Sequence, residues 1–378
     1  MSHAATRKYG LRVVQLIPNL VGGGAEAAVR TLSAGLAGAG VDLTIVSVYP
    51  SGLDEGELQL LGAPVVDLGR RGRGDRGYFR RLVRALRELR PDVVHAHLHT
   101  GQYGGRAAAL LARVPAVVLT IHGDEPGGPV RWAADRVLHA GTARFVVFTE
   151  AQRRRFAAED GVAPARIAVI PNGVAAMPSS ASRAELRAGL EFAPDTFALY
   201  SAGRLAPEKN QRAAIAALAL AHAAGARRMR LVLAGDGPLA AELRAFADAH
   251  GVHEHVDFLG YRRDARALAA AMDLFVLPSL RERMPLALGE AMMAGLAPAI
   301  TPWDGYDDFV RDGDTGFVAA GFDATALAET ILRAYGDDAG RAAVAQRAQA
   351  AARTQFDVGA MVRAHVALYD SLRRGPGT

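Results

Sequence analysis

The sequence reads as an α/β protein made of two doubly wound parallel sheets. Short apolar runs of strand length alternate with longer amphipathic stretches along nearly all of its 378 residues. That rhythm belongs to repeated βαβ units and implies a sheet covered on both faces. It breaks once, near Pro171-Asn172-Gly173, passes a Pro/Ser-rich loop at 177–182, and then restarts. The length fits two domains of roughly 100–200 residues each. The halves share an architecture and no short tandem repeat.

The elements follow in order. Residues 12–18 read as the first strand and 25–39 as the first helix, with Ala28, Leu32 and Leu36 on one helical face. Strand-like runs follow at 43–48, 92–97, 116–122, 144–148 and 167–170. After the break they recur at 197–202, 230–234, 256–259, 273–277 and 297–300, and 323–374 reads as helical with no strand. Residues 78–90 (YFRRLVRALRELR) form a basic amphipathic helix. Phe79, Leu82, Val83, Leu86 and Leu89 make its apolar stripe, flanked by Arg80, Arg81, Arg84, Arg87 and Arg90. Such a helix lies on an anionic membrane or covers a sheet with a solvated arginine face; covering the sheet is the reading taken. The loop before it, 69–77 (GRRGRGDRG), is expected to be mobile and to reach an acceptor.

Composition removes several function classes. There is no cysteine, so disulfides, a thiol nucleophile, thiolate zinc and iron–sulfur clusters are excluded, and a reducing cytosol fits. No apolar run nears the ~20 residues of a membrane-spanning helix. The opening MSHAATRKYG has no apolar signal core, so a cytoplasmic protein is expected. Residues 1–172 hold 22 basic and 15 acidic side chains, and residues 173–378 hold 22 and 24. The excess is scattered and no nucleic-acid module accompanies it, so no nucleic-acid partner is expected. Almost every basic residue is arginine; the lysines are Lys8 and Lys209, which singles out Lys209.

Doubly wound sheets bind ligands beyond the carboxyl ends of their strands, and two such sheets face to face make a cleft. Gly22-Gly23-Gly24 occupies such a place. It serves as a tight turn or as a glycine cradle whose helix N–H groups meet an anion, and its spacing is not that of a dinucleotide fingerprint. Gly203-Arg204, with Lys209 close behind, follows the first strand of the second half. The two cations suit a diphosphate, Arg204 as a planar fork and Lys209 as a point charge; solvated loop cations are the plainer alternative. Gly235-Asp236-Gly237-Pro238 repeats the strand–glycine–helix theme. The segment 279–290 (SLRERMPLALGE) ends a strand and opens a helix, with Glu282 in the loop and Glu290 about a turn into the helix. Its N–H groups suit phosphate or sugar oxygens and its carboxylates suit hydroxyls.

His95, His97 and His99 make an H-x-H-x-H run. Alternation is read as placing His95 and His99 on one face and His97 on the other. No metal is expected there, and His97 and His99 are assigned to the cleft lining. Asp124 and Glu125 follow His122-Gly123 and are expected to clamp an amine or other cation of the acceptor.

Taken in order, GGGAE at 22–26, HG at 122–123, PNGV at 171–174, GRLAPEKN at 203–210, AGDGPL at 234–239, FLGY at 258–261, PSLRERMPLALGEAMMAG at 278–295 and DGDTGFV at 312–318 resemble family 4 of the retaining nucleotide-sugar glycosyltransferases. The resemblance covers nearly the whole chain. It implies the GT-B fold, two Rossmann-like domains facing across a cleft. Residues 1–172 would bind the acceptor and 173–355 the nucleotide sugar, and a helix at 356–378 would return toward the first domain. It places Gly22, Gly23 and Gly24 near the diphosphate and sugar, with Gly203 and Gly235 among the donor-binding glycines. It puts His122 beside the donor sugar, Arg204 and Lys209 on the diphosphate, and Glu282 with the Met284 and Leu286 N–H groups on sugar hydroxyls. Glu290 would hold the ribose, with Leu259 and Gly260 near the nucleobase. The chain departs from the family at Arg283-Met284, where a small-plus-aromatic pair is usual, and at Asp304-Gly305 and Asp308.

The expected activity is transfer of a sugar from a UDP- or GDP-linked donor to a small polar acceptor, by front-face substitution with retention and without a metal, in natural-product or small-metabolite biosynthesis. The alternatives are a peripheral membrane enzyme with a lipid acceptor, a GT-B nucleotide-sugar epimerase, and a non-catalytic nucleotide-sugar binding module.

Overall fold

The computed structural model describes residues 10–72, 74–75, 77–123, 129–175, 181–262 and 264–374. The chain divides into two compact units, Met1–Gly173 with Asp357–Thr378, and Val174–Phe356.

The first unit holds seven strands: β1 (Arg12–Ile17), β2 (Asp42–Ser47), β3 (Val65–Asp67), β4 (Val93–His97), β5 (Ala116–Thr120), β6 (Arg144–Val147) and β7 (Ile167–Val169). They form one parallel sheet in the order β3-β2-β1-β4-β5-β6-β7. β1, β4 and β5 are nearly continuous apolar runs because helices cover both faces. Helix Gly24–Gly38 turns Ala28, Leu32 and Leu36 inward. The terminal helix Val358–Arg374 packs on it, adding Met361, Val362, Val366 and Tyr369 to the core of Val13, Leu32 and Leu36. A Cβ on Gly35 would lie 2.3 Å from Val362 Cγ2, so this helix contact requires a glycine there.

Helix Tyr78–Leu89 buries Leu82 and Leu86 against the sheet, with Phe79, Val83 and Leu89 packed beside them. Leu82 and Leu86 are thus spent on the core, while Phe79 and Val83 stay half-buried and also line an open cavity with Arg80, Arg84 and Arg87. Of its outer arginines, Arg84 pairs with Glu88 at 2.7 Å and Arg87 donates to the Leu111 carbonyl at 3.2 Å. The preceding segment is tied down where it is described. Arg81 pairs with Asp75 at 2.6 Å and Arg70 lies 4.0 Å over the Tyr78 ring.

The second unit has β8 (Phe197–Ala202), β9 (Met229–Ala234), β10 (Val256–Gly260), β11 (Leu274–Leu277), β12 (Pro298–Ile300) and β13 (Phe317–Val318). Their order is β10-β9-β8-β11-β12-β13, parallel throughout. Helices Gln211–Ala223 and Ala324–Tyr335 cover it through Ile215, Leu218, Leu327 and Ile331. In each sheet the winding direction reverses beside the first strand, between β1 and β4 and between β8 and β11. Those are the topological switch points at which such sheets bind ligands.

Two strands were not foreseen from the sequence. β3 and β13 are edge strands of 3 and 2 residues, too short to show a periodic pattern. The run 116–122 stops pairing at Thr120, which frees Ile121 and His122 for a loop.

Candidate active site

In the second unit the switch-point loops converge on one ion pair. After β8 the chain turns through Gly203 and Arg204 into the short 3-10 turn Pro207–Lys209. After β11 it runs through Ser279 to Glu282. Lys209 Nζ donates to Glu282 Oε1 at 2.7 Å, and Ser279 Oγ donates to the same oxygen at 2.6 Å. The loop is braced by Leu280 N–H donating to the Glu208 carbonyl at 2.9 Å and by Thr301 Oγ1 donating to the Ser279 carbonyl at 2.6 Å. The Glu282 side chain is 7% exposed and that of Lys209 26%. The carboxylate is thus fixed and nearly dry, while the ammonium stays within reach of a ligand.

Next to it, helix Leu286–Met293 starts at Pro285 without a side-chain cap. Uncapped first-turn N–H groups are the usual backbone contacts for an anion. Met284 and Leu286 are buried there. Glu290, one turn in, accepts from Arg266 at 2.5 Å. Burial raises its carboxyl pKa, and the Arg266 guanidinium opposes that rise.

Two details of these loops were not read from the sequence. Arg204, its side chain 68% exposed, pairs with Glu208 at 2.7 Å. Gly235 and Gly237 have a packing cause. Gly235 has φ 154°, and a Cβ on it would lie 1.9 Å from the Gly203 carbonyl oxygen; one on Gly237 would lie 2.4 Å from that of Leu205. The two loops therefore touch backbone to backbone, and Gly235 N–H donates to the Gly260 carbonyl at 2.8 Å. That bond places Gly203, Gly235 and Gly260, next to Leu259, in one cluster at the strand ends.

In the first unit, Gly22, Gly23 and Gly24 are exposed between β1 and helix Gly24–Gly38. Their N–H groups are not all open to an anion, because Gly23 N–H donates to Glu26 Oε2 at 3.1 Å in a capping arrangement.

The histidines differ from expectation in one respect. Residues two apart on a strand share a face, so His95 and His97 lie together, with ring centroids 4.1 Å apart. The reading that set them on opposite faces is wrong. His99 lies beyond the strand, in the turn Leu98–Thr100, edge-on to Tyr103 at 5.3 Å. Leu98 has φ 56°, a left-handed conformation costly for a branched side chain, directly after His97. His97 Nδ1 and His122 Nε2 are 3.0 Å apart. Burial pushes His122 down to about 4 and holds His95 and His97 well below the usual histidine range. Asp124 and Glu125 lie outside the described residues. Among the described residues no group of three His, Asp or Glu side chains is arranged to hold a metal ion, and no helix is long and apolar enough to cross a membrane.

Sequence reading missed Gln15, Tyr369 and His365, which back these histidines, and Arg266 and Ser279, which hold the two glutamates. A signal existed for the first three. Gln15 is the one polar residue inside an apolar strand, and His365 and Tyr369 are four apart on a helix face. Arg266, in the short helix Ala265–Leu268, carried none, and Ser279 stood at the head of the segment singled out without a role of its own.

Comparison with known proteins agrees with this fold. Residues 22–176 match the Glycosyltransferase Family 4 model and 182–351 the model for glycosyl transferases group 1. An Escherichia coli UDP-Gal:alpha-D-GlcNAc-diphosphoundecaprenol alpha-1,3-galactosyltransferase is 30% identical over 268 residues, covering 68% of this chain and 69% of that protein. The 2-deoxystreptamine glucosyltransferase of Streptomyces kanamyceticus is 30% identical over 282 residues, covering 68% and 71%. Among solved structures, Anabaena HepE in complex with UDP-glucose superposes with a TM-score of 0.83 at 23% identity, covering 95% of this chain and 99% of that one. With both family models matched in order and two parallel Rossmann-like sheets, the chain belongs to the family 4 glycosyltransferases of GT-B fold.

Proposed function

We propose that this glycosyltransferase moves a sugar from a UDP- or GDP-linked donor to a small polar acceptor, with retention at the anomeric carbon. The observation that carries the reading is the Lys209–Glu282 pair at the β8/β11 switch point, beside an uncapped helix. As the donor's C1–O bond breaks, negative charge grows on the leaving diphosphate. Lys209, Arg204 and the first-turn N–H groups of helix Leu286–Met293 stabilise it. Preorganised donors of this kind are worth roughly 10²–10³ in rate each. Glu282 Oε2 accepts from a sugar hydroxyl, and Glu290 holds the ribose.

Glu282 is already neutralised by Lys209, and Glu290 by Arg266, which disfavours a glycosidase-like nucleophile and acid pair. The acceptor hydroxyl therefore attacks from the face the diphosphate leaves. The new C1–O bond forms as the old one breaks, and the acceptor proton passes to a diphosphate oxygen. Side-chain cations supply the charge, so the reaction is expected to survive EDTA. The enzyme is placed in the cytoplasm, where nucleotide sugars are made, and in small-metabolite or natural-product biosynthesis.

The Streptomyces relative's name favours an aminocyclitol-like acceptor, and the E. coli relative's name favours a lipid diphosphate. The first is preferred because helix Tyr78–Leu89 keeps Leu82 and Leu86, the centre of its apolar stripe, in the core. The test is a panel of nucleotide sugars against aminocyclitols, inositol phosphate and a polyprenyl diphosphate, with NMR of the product's anomeric configuration. An α-linked product from an α-donor on a small acceptor, undiminished by EDTA, supports the reading. Turnover only on the lipid supports the membrane alternative. An epimerised donor formed without acceptor indicates an epimerase, and binding with no turnover on any acceptor indicates a binding module.

A further inference from the structure

Behind His122 lies a hydrogen-bonded chain of buried side chains, and donor–acceptor chemistry dictates where its protons sit. Gln15 Oε1 has no hydrogen to give, so its bond with His97 Nε2 is donated by the ring. A neutral His97 then keeps only a lone pair at Nδ1. The 3.0 Å bond to His122 Nε2 must therefore be donated by His122. A neutral His122 is left with its lone pair on Nδ1. On the far side, Gln15 Nε2 donates to the Tyr369 hydroxyl at 3.2 Å. That hydroxyl lies 2.6 Å from His95 Nδ1, and His95 Nε2 lies 2.6 Å from Thr120 Oγ1, which extends the chain.

The bonds from Gln15 through His97 to His122 depend on which way the Gln15 amide faces. Turning it over would reverse them and move the His122 hydrogen to Nδ1. Burial keeps the rings neutral, which a tautomer-based device requires. The space between His97, His122, Thr120 and His365 is about 10 Å³, room for one water at most, so bulk solvent does not short-circuit the chain.

We propose that Gln15, anchored by Tyr369 of the terminal helix, is a positioning residue that locks His122 with its proton on Nε2, so that Nδ1 meets the substrate as a hydrogen-bond acceptor for a sugar or acceptor hydroxyl. The proposal rests on His122 serving the transfer proposed above. It gives the terminal helix a part in that transfer, through Tyr369.

The test reads the tautomer directly. Protein labelled with 15N-histidine, in its resting form, gives long-range 1H–15N spectra, and His122→Gln assigns the His122 ring. The expected spectrum shows His122 Nδ1 as unprotonated, pyridine-like nitrogen and Nε2 as pyrrole-like. A pyrrole-like Nδ1, or a mixture of tautomers, overturns the proposal whatever the activity. Gln15→Met removes the acceptor at similar size. It should mix the His122 tautomers and lower kcat about tenfold with donor KM within about twofold. Tyr369→Phe, the second variant if the first does not fold, should cost about threefold in kcat through a looser amide. Either variant, folded, with an unchanged ring spectrum and unchanged kcat also overturns it. If the wild-type tautomer is as stated but no donor is turned over, the functional reading fails and the tautomer assignment stands.

Discussion

At the carboxyl ends of β1 and β4 the functional side chains are neutral and joined ring to amide to hydroxyl, buried behind a half-buried His122 and running back to Thr120. At the ends of β8 and β11 they are charged and paired, Lys209 with Glu282 and Arg266 with Glu290. The same strand order thus carries opposite chemistry. A departing diphosphate needs positive charge held in place before it leaves. A hydroxyl needs one directed lone pair, which a dry, uncharged ring supplies without having to shed a proton. The sheet supplies the location, and the residues just past its strand ends supply the chemistry.

Disabling the charged end should cost the most. Lys209→Ala removes the accessible cation and leaves Glu282 nearly buried beside Ser279 alone. We expect kcat/KM to fall about 10²–10³-fold in a steady-state transfer assay, with the circular dichroism spectrum retained. Glu282→Gln keeps the shape but loses the charge. Its expected loss is smaller, about 10–100-fold, the worth of a charge-assisted hydrogen bond. A Glu282→Gln loss exceeding that of Lys209→Ala would mean the carboxylate, not the ammonium, dominates.

The neutral end should reveal itself through pH. His122 and His365 are held near 4 in the fold against 6.5 ordinarily, with His95 and His97 also pushed down. Between those values the unfolded chain binds more protons than the folded one, so stability is lost as pH falls from 6.5 toward 4. Thermal melts across that window should show a falling Tm, and His365→Leu should flatten the slope. A Tm independent of pH there would mean these rings are not held neutral. Smallest of all, Arg84→Ala on the solvent side of helix Tyr78–Leu89 should leave the thermal melt essentially unchanged and transfer to a small acceptor intact. A selective loss of transfer to a lipid acceptor would instead mark that helix as a membrane contact.

Much of the fold was legible because buried parallel strands such as β1 and β8 are continuous apolar runs closed by glycine or proline. β3 and β13 escaped because an edge strand of a few residues needs no such run. At the site, Lys209 and Glu282 were legible through their position after strands, and their mutual 2.7 Å contact was not: they are 73 residues apart in sequence. The Arg204–Glu208 pair was not legible either, because a cation in a loop does not announce that a carboxylate four residues on will meet it. The histidine chain was hidden for a related reason. Its members come from β1, β4, β5, the His122 loop and the terminal helix, and only the packing of that helix brings Tyr369 to Gln15.

The most direct check is calorimetric titration of UDP and GDP into the wild type, Lys209→Ala and His122→Ala. The charged end of the second unit is assigned the diphosphate and the histidines are not. One nucleotide should therefore bind the wild type, weaken at least about tenfold in Lys209→Ala, and stay within about twofold in His122→Ala. Equal affinity in wild type and Lys209→Ala, or no nucleotide bound by the wild type, would contradict that assignment.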